Sequence, residues 1–136
     1  MAGYSGTPLA RKLGLKEGHT VALIGAPAGF VDTLEPLPAA VTFRSTARGP
    51  LDVAIVFLTE RRELERRLAG LRKAIFPDGA IWVAWPKKAS KVPTDITEDV
   101  IREVVLPTGL VDNKVCAVDA TWSGLRVVHR REHRGR

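Results

Sequence analysis

Cys116 is the only cysteine in this chain, which rules out an internal disulfide and any metal site built on a cysteine cluster. Histidine is scarce too: His19, His129 and His133 stand at no spacing that completes a zinc ligand set, so no metal is expected. No apolar run approaches the roughly 20 residues of a membrane-spanning helix. The apolar stretches break at Asp52, at Pro77 and Gly79, and at Pro86. The segment from Met1 to Gly14 is too polar for a signal peptide. These absences predict a cytoplasmic, reduced protein with no membrane partner. Aromatics make up only 6% of the chain, and no basic–aromatic motif of the nucleic-acid-binding kind is present.

What remains is ordinary for a globular domain: 136 residues, 45% hydrophobic and 26% charged, enough to bury one core. No linker, repeat or low-complexity block divides it. The expectation is a single domain over 1–130 and a basic, disordered tail over 131–136. The net charge of +6 invites a polyanion reading. Half of that excess, however, lies in Arg130, Arg131, Arg134 and Arg136 against Glu132, and chain ends are where disorder concentrates. Nucleic acid is therefore disfavoured as a partner.

Along the chain, residues 5–14 read as a short helix, with Thr7 as cap, Pro8 in first position and Gly14 as the stop. Thr20–Gly25 is a compact apolar run without alternation, as in a central strand buried on both faces. A tight loop through Pro27 and Gly29 opens a second short helix, and Val41–Arg44 is a brief strand. Asp52–Leu58 is the clearest buried strand. From Glu60 to Ile75, Leu64, Leu68, Leu71 and Ile75 form one helical stripe, and the charged residues between them form a solvated face. Pro77-Asp78-Gly79 turns the chain into the strand Ala80–Trp85. Asp95 and Glu98 make a capping box for a helix running to about Leu106. Lys114–Val118 and Leu125–Arg130 follow as a hairpin. Asp112, Asn113 and Asp119 read as turn formers, and Cys116 as a small apolar residue in a strand. Strands alternating with helices require right-handed crossovers and a parallel sheet.

A strand opening into a glycine-bearing loop, then Leu51-Asp52-Val53-Ala54-Ile55-Val56, a helix, and Phe76-Pro77-Asp78-Gly79-Ala80-Ile81-Trp82-Val83 resembles the methyltransferase pattern. The likeness implies a three-layer α/β Rossmann-like fold with about six mostly parallel strands in the order 2-1-3-4-6-5, ending in an antiparallel hairpin. A second resemblance, to a small bacterial family of unknown function, rests on Gly3-Tyr4-Ser5-Gly6-Thr7-Pro8-Leu9, Trp85-Pro86-Lys87-Lys88-Ala89-Ser90, Leu110-Val111-Asp112-Asn113-Lys114-Val115-Cys116 and Thr121-Trp122-Ser123-Gly124-Leu125-Arg126. It implies a fold and no activity.

The methyltransferase resemblance also implies a cofactor loop of small residues with free amides, and an acidic residue ending the second strand. Here Pro27 removes an N–H donor from Gly25-Ala26-Pro27-Ala28-Gly29, and Arg44 cannot accept a hydrogen bond from a sugar. Ligands of such sheets bind beyond the C-terminal strand edges, near the point where strand order reverses. The candidate crevice residues are therefore Gly25, Pro27, Gly29, Thr59, Trp85, Lys87, Lys88 and Ser90, with the two lysines and Ser90 suited to an anion. No residue set amounts to a catalytic group, and no cofactor is named. The leading expectation is a non-catalytic Rossmann-like protein binding a small anionic ligand or a protein partner, with a homodimer through the edge hairpin as one form of partnership. The alternatives are an atypical S-adenosylmethionine- or nucleotide-dependent enzyme, and a nucleic-acid accessory protein acting through the tail.

Overall fold

A computed structural model describes residues 7–134 of the chain. Six strands form one sheet in the order β2-β1-β3-β4-β6-β5, the order expected from the sequence. They are β1 (Thr20–Ile24), β2 (Thr42–Arg44), β3 (Val53–Phe57), β4 (Ala80–Pro86), β5 (Leu110–Ala117) and β6 (Trp122–His129). The first four are parallel, and β6 runs antiparallel to both β4 and β5.

Alternate residues of the strands feed two cores. Ala54, Val56, Ile81 and Val83 face α2 (Arg61–Ile75) and α3 (Glu98–Val105). Val53, Ile55, Phe57 and Trp82 face a thinner layer made of α1 (Leu9–Lys12) and a 3-10 turn, Phe30–Leu34. The stripe predicted for α2 is the buried one: Leu64, Leu68, Leu71 and Ile75 are at most 4% exposed.

Asp52 pins the N-terminal ends of three strands. Its carboxylate accepts from the Thr20 N–H at 2.7 Å, its own N–H donates to the Thr20 carbonyl, and its carbonyl accepts from Ala80. The turn from α2 into β4 packs against this point so closely that a Cβ on Gly79 would stand 2.6 Å from the Leu51 carbonyl oxygen and 2.9 Å from that of Asp52. Only glycine fits there.

Four elements depart from the sequence reading. Residues 5 and 6 of the first expected helix lie outside the described residues; among those described, α1 starts after Pro8, and Gly14 ends the segment at φ +79° as expected. The helix expected at Asp95 starts three residues later, where Thr97 Oγ1 accepts from the Val100 N–H at 3.1 Å. Ile96 is sunk in the core at 1% exposure, and Thr94 and Asp95 are bonded to the β3–α2 junction, so the chain stays extended through 96. The hairpin is longer than expected. Asp112, Asn113 and Lys114 lie within β5, at a bulge between Asp112 and Lys114, because Asp112 accepts from Arg102 Nε at 3.0 Å instead of closing a turn. His129 lies in β6, within the strand expected over Leu125–Arg130, buried at 5% exposure with Nε2 2.8 Å from the Arg72 carbonyl oxygen. The departure is in the tail, where Arg131–His133 form a 3-10 turn, the His133 ring lying against the Gly109 backbone.

Candidate functional site

At the C-terminal edge of the parallel strands, β1 runs into the loop that the sequence singles out. Gly25 takes φ +70°, and a Cβ there would meet the Phe57 carbonyl oxygen at 2.9 Å, so a side chain would prevent the loop from crossing the end of β3. Gly29 takes φ +80°. The Phe30 N–H donates to the Pro27 carbonyl at 3.1 Å and closes the loop as a turn. Phe30 then meets Phe57 edge to face at 4.9 Å, and Phe57 meets Trp122 in the same way at 5.1 Å. These rings come from the β1 loop, the end of β3 and the start of β6. They fill the α1 side of the edge with the protein's own apolar surface, an arrangement that aromatic quadrupoles favour.

On the α2 side of this edge a hollow of about 280 Å³ remains, lined by Gly25, Phe57, Thr59, Glu60, Glu63 and Arg67 among others. Gly25 and Thr59 are the only two of the eight crevice candidates that it gathers. The carboxylate of Glu63 is already held by Arg66 at 2.6 Å and Arg67 at 2.8 Å, hydrogen bonds that keep it below the usual carboxylate range. Trp85 is in the α2-side core, 9% exposed. The Lys87 backbone N–H donates to the Thr121 carbonyl at 2.7 Å, joining the loop to the hairpin tip. Lys88 is exposed, and Ser90 spends its hydroxyl inside its own turn, donating to the Lys87 carbonyl at 2.7 Å. Arg44 ends β2 with Nη1 on the Arg48 carbonyl at 2.8 Å, leaving no acceptor there for a sugar.

The N-terminus of α2 is occupied as well. Its Arg61 N–H donates to the Asp95 carboxylate at 2.6 Å, and Thr94 Oγ1 donates to the Thr59 carbonyl at 2.7 Å. Asp95, in sequence a cap for its own helix, caps the neighbouring one instead. Asp95→Ala is expected to cost about 1 kcal/mol, as other side-chain caps do, measured by urea unfolding. An unchanged midpoint would show that the cap contributes nothing.

The larger concavity lies at the opposite, N-terminal edge of the sheet. It measures about 640 Å³ and is lined by Arg11, Lys12, Lys16, Lys114 and Arg126, with Asp52 and Asp78 as its only carboxylates. Sequence reasoning missed it. Three of its cations sit near α1, whereas Lys114 and Arg126 face one another as a cross-strand pair of β5 and β6. Every ion pair found among the described residues lies elsewhere, on α2, α3 and Asp112. Burial, and after it the nearby Arg134, push the Arg126 guanidinium below its ordinary pKa. Burial also raises the Cys116 thiol, which Lys12 and Lys114 only partly offset; a thiol held protonated is a poor nucleophile.

No protein-family model matches the chain, and no curated protein sequence does. Solved structures do resemble it. An S-adenosylmethionine-dependent methyltransferase from Aquifex aeolicus superimposes with a TM-score of 0.61 at 18% identity, covering 86% of this chain and 85% of that one. Magnesium protoporphyrin IX methyltransferase from Synechocystis, with bound cofactor, gives 0.62 at 16% identity over 90% of this chain and 74% of its own. Fibrillarin from Aeropyrum pernix, also with S-adenosylmethionine, gives 0.56 at 14% over 88% and 73%. At such identities the likeness establishes the fold, a methyltransferase-like Rossmann fold, and function must be argued from the site.

Proposed function

We propose that this protein is a non-catalytic, methyltransferase-like binding protein for a small anionic ligand, which it takes at the N-terminal edge of its sheet. One observation carries the reading: the largest cavity described is lined by five cations against two carboxylates, and one of those carboxylates, Asp52, is committed to the Thr20 amide. Cations gathered without acidic partners in a concave, partly desolvated space attract an anion more strongly than the same charges spread over a surface. The volume falls within the roughly 300–1,000 Å³ of small-molecule sites. The other edge supports the reading by exclusion: Phe30, Phe57 and Trp122 occupy it, Pro27 supplies no N–H, and Arg44 stands at the end of β2 where the family pattern has an acid.

A second reading, an atypical S-adenosylmethionine-dependent protein, draws on Gly25. The close approach of its backbone to Phe57 is the kind of bare, positive-φ loop that lets a main chain meet a cofactor. Isothermal titration separates the two. Inorganic triphosphate is expected to bind, more weakly as salt rises, and S-adenosylmethionine to give no heat. Saturable binding of S-adenosylmethionine with none of triphosphate would reverse the assignment.

A further inference from the structure

The N-terminal cavity has more character than its charge. Phe76, the residue that ends α2, is 49% exposed, the most open of the chain's phenylalanines. Its ring meets His129 edge to face at 5.1 Å, so it is held in place while half of it faces solvent. It lies on the wall between the basic cavity and a second hollow of about 400 Å³ that carries Arg48 and Lys73. The ring stands where lining cations border it on two sides.

The cations themselves point to a ligand with more than one anionic group. Arg126 and Lys114 stand opposite each other on neighbouring strands, a like-charge pair that destabilises a sheet. The Arg126 guanidinium, unlike its strand-paired backbone, finds no hydrogen-bonding partner among the described residues. Arg134, folded back by the turn that follows β6, has its Nε shielded from water with no acceptor. Arg134 is not part of the cavity wall, but its charge adds to the positive field around Arg126. Lys12 and Lys114 are braced in place: Lys12 Nζ reaches the Ala117 carbonyl at 3.4 Å and Lys114 Nζ the Lys12 carbonyl at 3.3 Å. Five lining cations less two carboxylates leave a surplus of three.

We infer that the anion is a nucleoside di- or triphosphate, its phosphates between Lys114 and Arg126 and its base against Phe76. Three features agree on that class: a charge surplus that matches a di- or triphosphate chain, a volume suited to one nucleotide, and an aromatic face at the rim. This inference rests on the anion-binding reading above and adds the nucleoside to it.

The test is a titration in metal-free buffer of four probes, adenosine triphosphate, inorganic triphosphate, adenosine and a short single-stranded oligonucleotide, against the full chain and two variants. Stacking of one base adds about tenfold in affinity. Adenosine triphosphate is therefore expected to bind about tenfold tighter than inorganic triphosphate, and adenosine alone hardly at all. Phe76→Leu should erase that margin and leave inorganic triphosphate unchanged, whereas Phe76→Trp should keep the margin and report binding by quenched fluorescence. Equal affinities of the two triphosphates would overturn the nucleoside assignment while leaving the anion site standing. Binding of neither would overturn both. A short single-stranded oligonucleotide that binds far tighter than adenosine triphosphate would make the occupant a nucleic acid strand and overturn the proposal.

Discussion

Arg126→Gln is expected to weaken binding of inorganic triphosphate by about tenfold to a hundredfold, since a hydrogen bond to a charged group contributes about 1.5–3 kcal/mol and each 1.4 kcal/mol is about a factor of ten. Arg126→Glu should abolish binding, because it also sets a carboxylate against the ligand. The same Gln variant should leave the folded state no less stable than before. It removes a half-buried cation that faces Lys114 across the β5–β6 pair and lies near Arg134, with no acidic partner lost in exchange. A structural arginine behaves in the opposite way, because breaking its pairing destabilises the fold. Binding and unfolding measured on the one variant thus move in different directions if Arg126 belongs to a site. A variant that unfolds more easily yet binds triphosphate unchanged would remove Arg126 from the site and return it to the scaffold.

The second large effect is in the core. Trp82 is fully buried in the middle of β4, and its Nε1–H donates to the Leu13 carbonyl at 2.9 Å. The space it fills is prepared by Gly124 on β6, where a Cβ would come within 3.1 Å of the indole. Trp82→Ala should cost about 3–5 kcal/mol, a large share of the roughly 5–15 kcal/mol that holds a domain together. Trp82→Phe separates packing from the hydrogen bond. It keeps an aromatic ring but leaves the buried Leu13 carbonyl without its donor, at about 1–3 kcal/mol. Because Leu13 follows directly on Arg11 and Lys12, which line the basic cavity, the Phe variant should also bind triphosphate less tightly. Urea unfolding and a triphosphate titration check both parts. A Phe variant within about 0.5 kcal/mol of the parent, the range of neutral surface changes, would show that the indole N–H does not anchor α1.

The sheet was legible because its signals are local. Leu64, Leu68, Leu71 and Ile75 repeat at helical spacing, Pro77-Asp78-Gly79 marks the turn, and the unalternating runs at Val53 and Ile81 declare strands covered on both faces. The strand order comes from the resemblance to the methyltransferase pattern, and it is the order found. Where local and tertiary signals disagree, the tertiary ones prevailed. Asp95 and Glu98 have the spacing of a capping box, yet burying Ile96 and bonding Asp95 to Arg61 hold that segment extended. Asp112, Asn113 and Lys114 have the composition of a turn, but an edge strand with a bulge accepts them, and Arg102 supplies the partner. The basic cavity could not be read from any motif, since Lys12 and Lys114 are brought together only by folding. The one available signal was the hairpin register, which places Lys114 across from Arg126, and that register depends on β5 starting at Leu110.

The bond from Arg61 N–H to Asp95 bears on what this scaffold can still acquire. A helix beginning beyond a parallel strand ordinarily presents bare amides, where a phosphate or carboxylate from solution can settle. In this chain a tethered carboxylate already stands there at 2.6 Å, supplied by the segment that leads into α3. Any guest at that position would have to evict a group that never diffuses away. The place beyond β3 where such a helix could take an anion is thus filled from within, and a newcomer meets less competition at the far side.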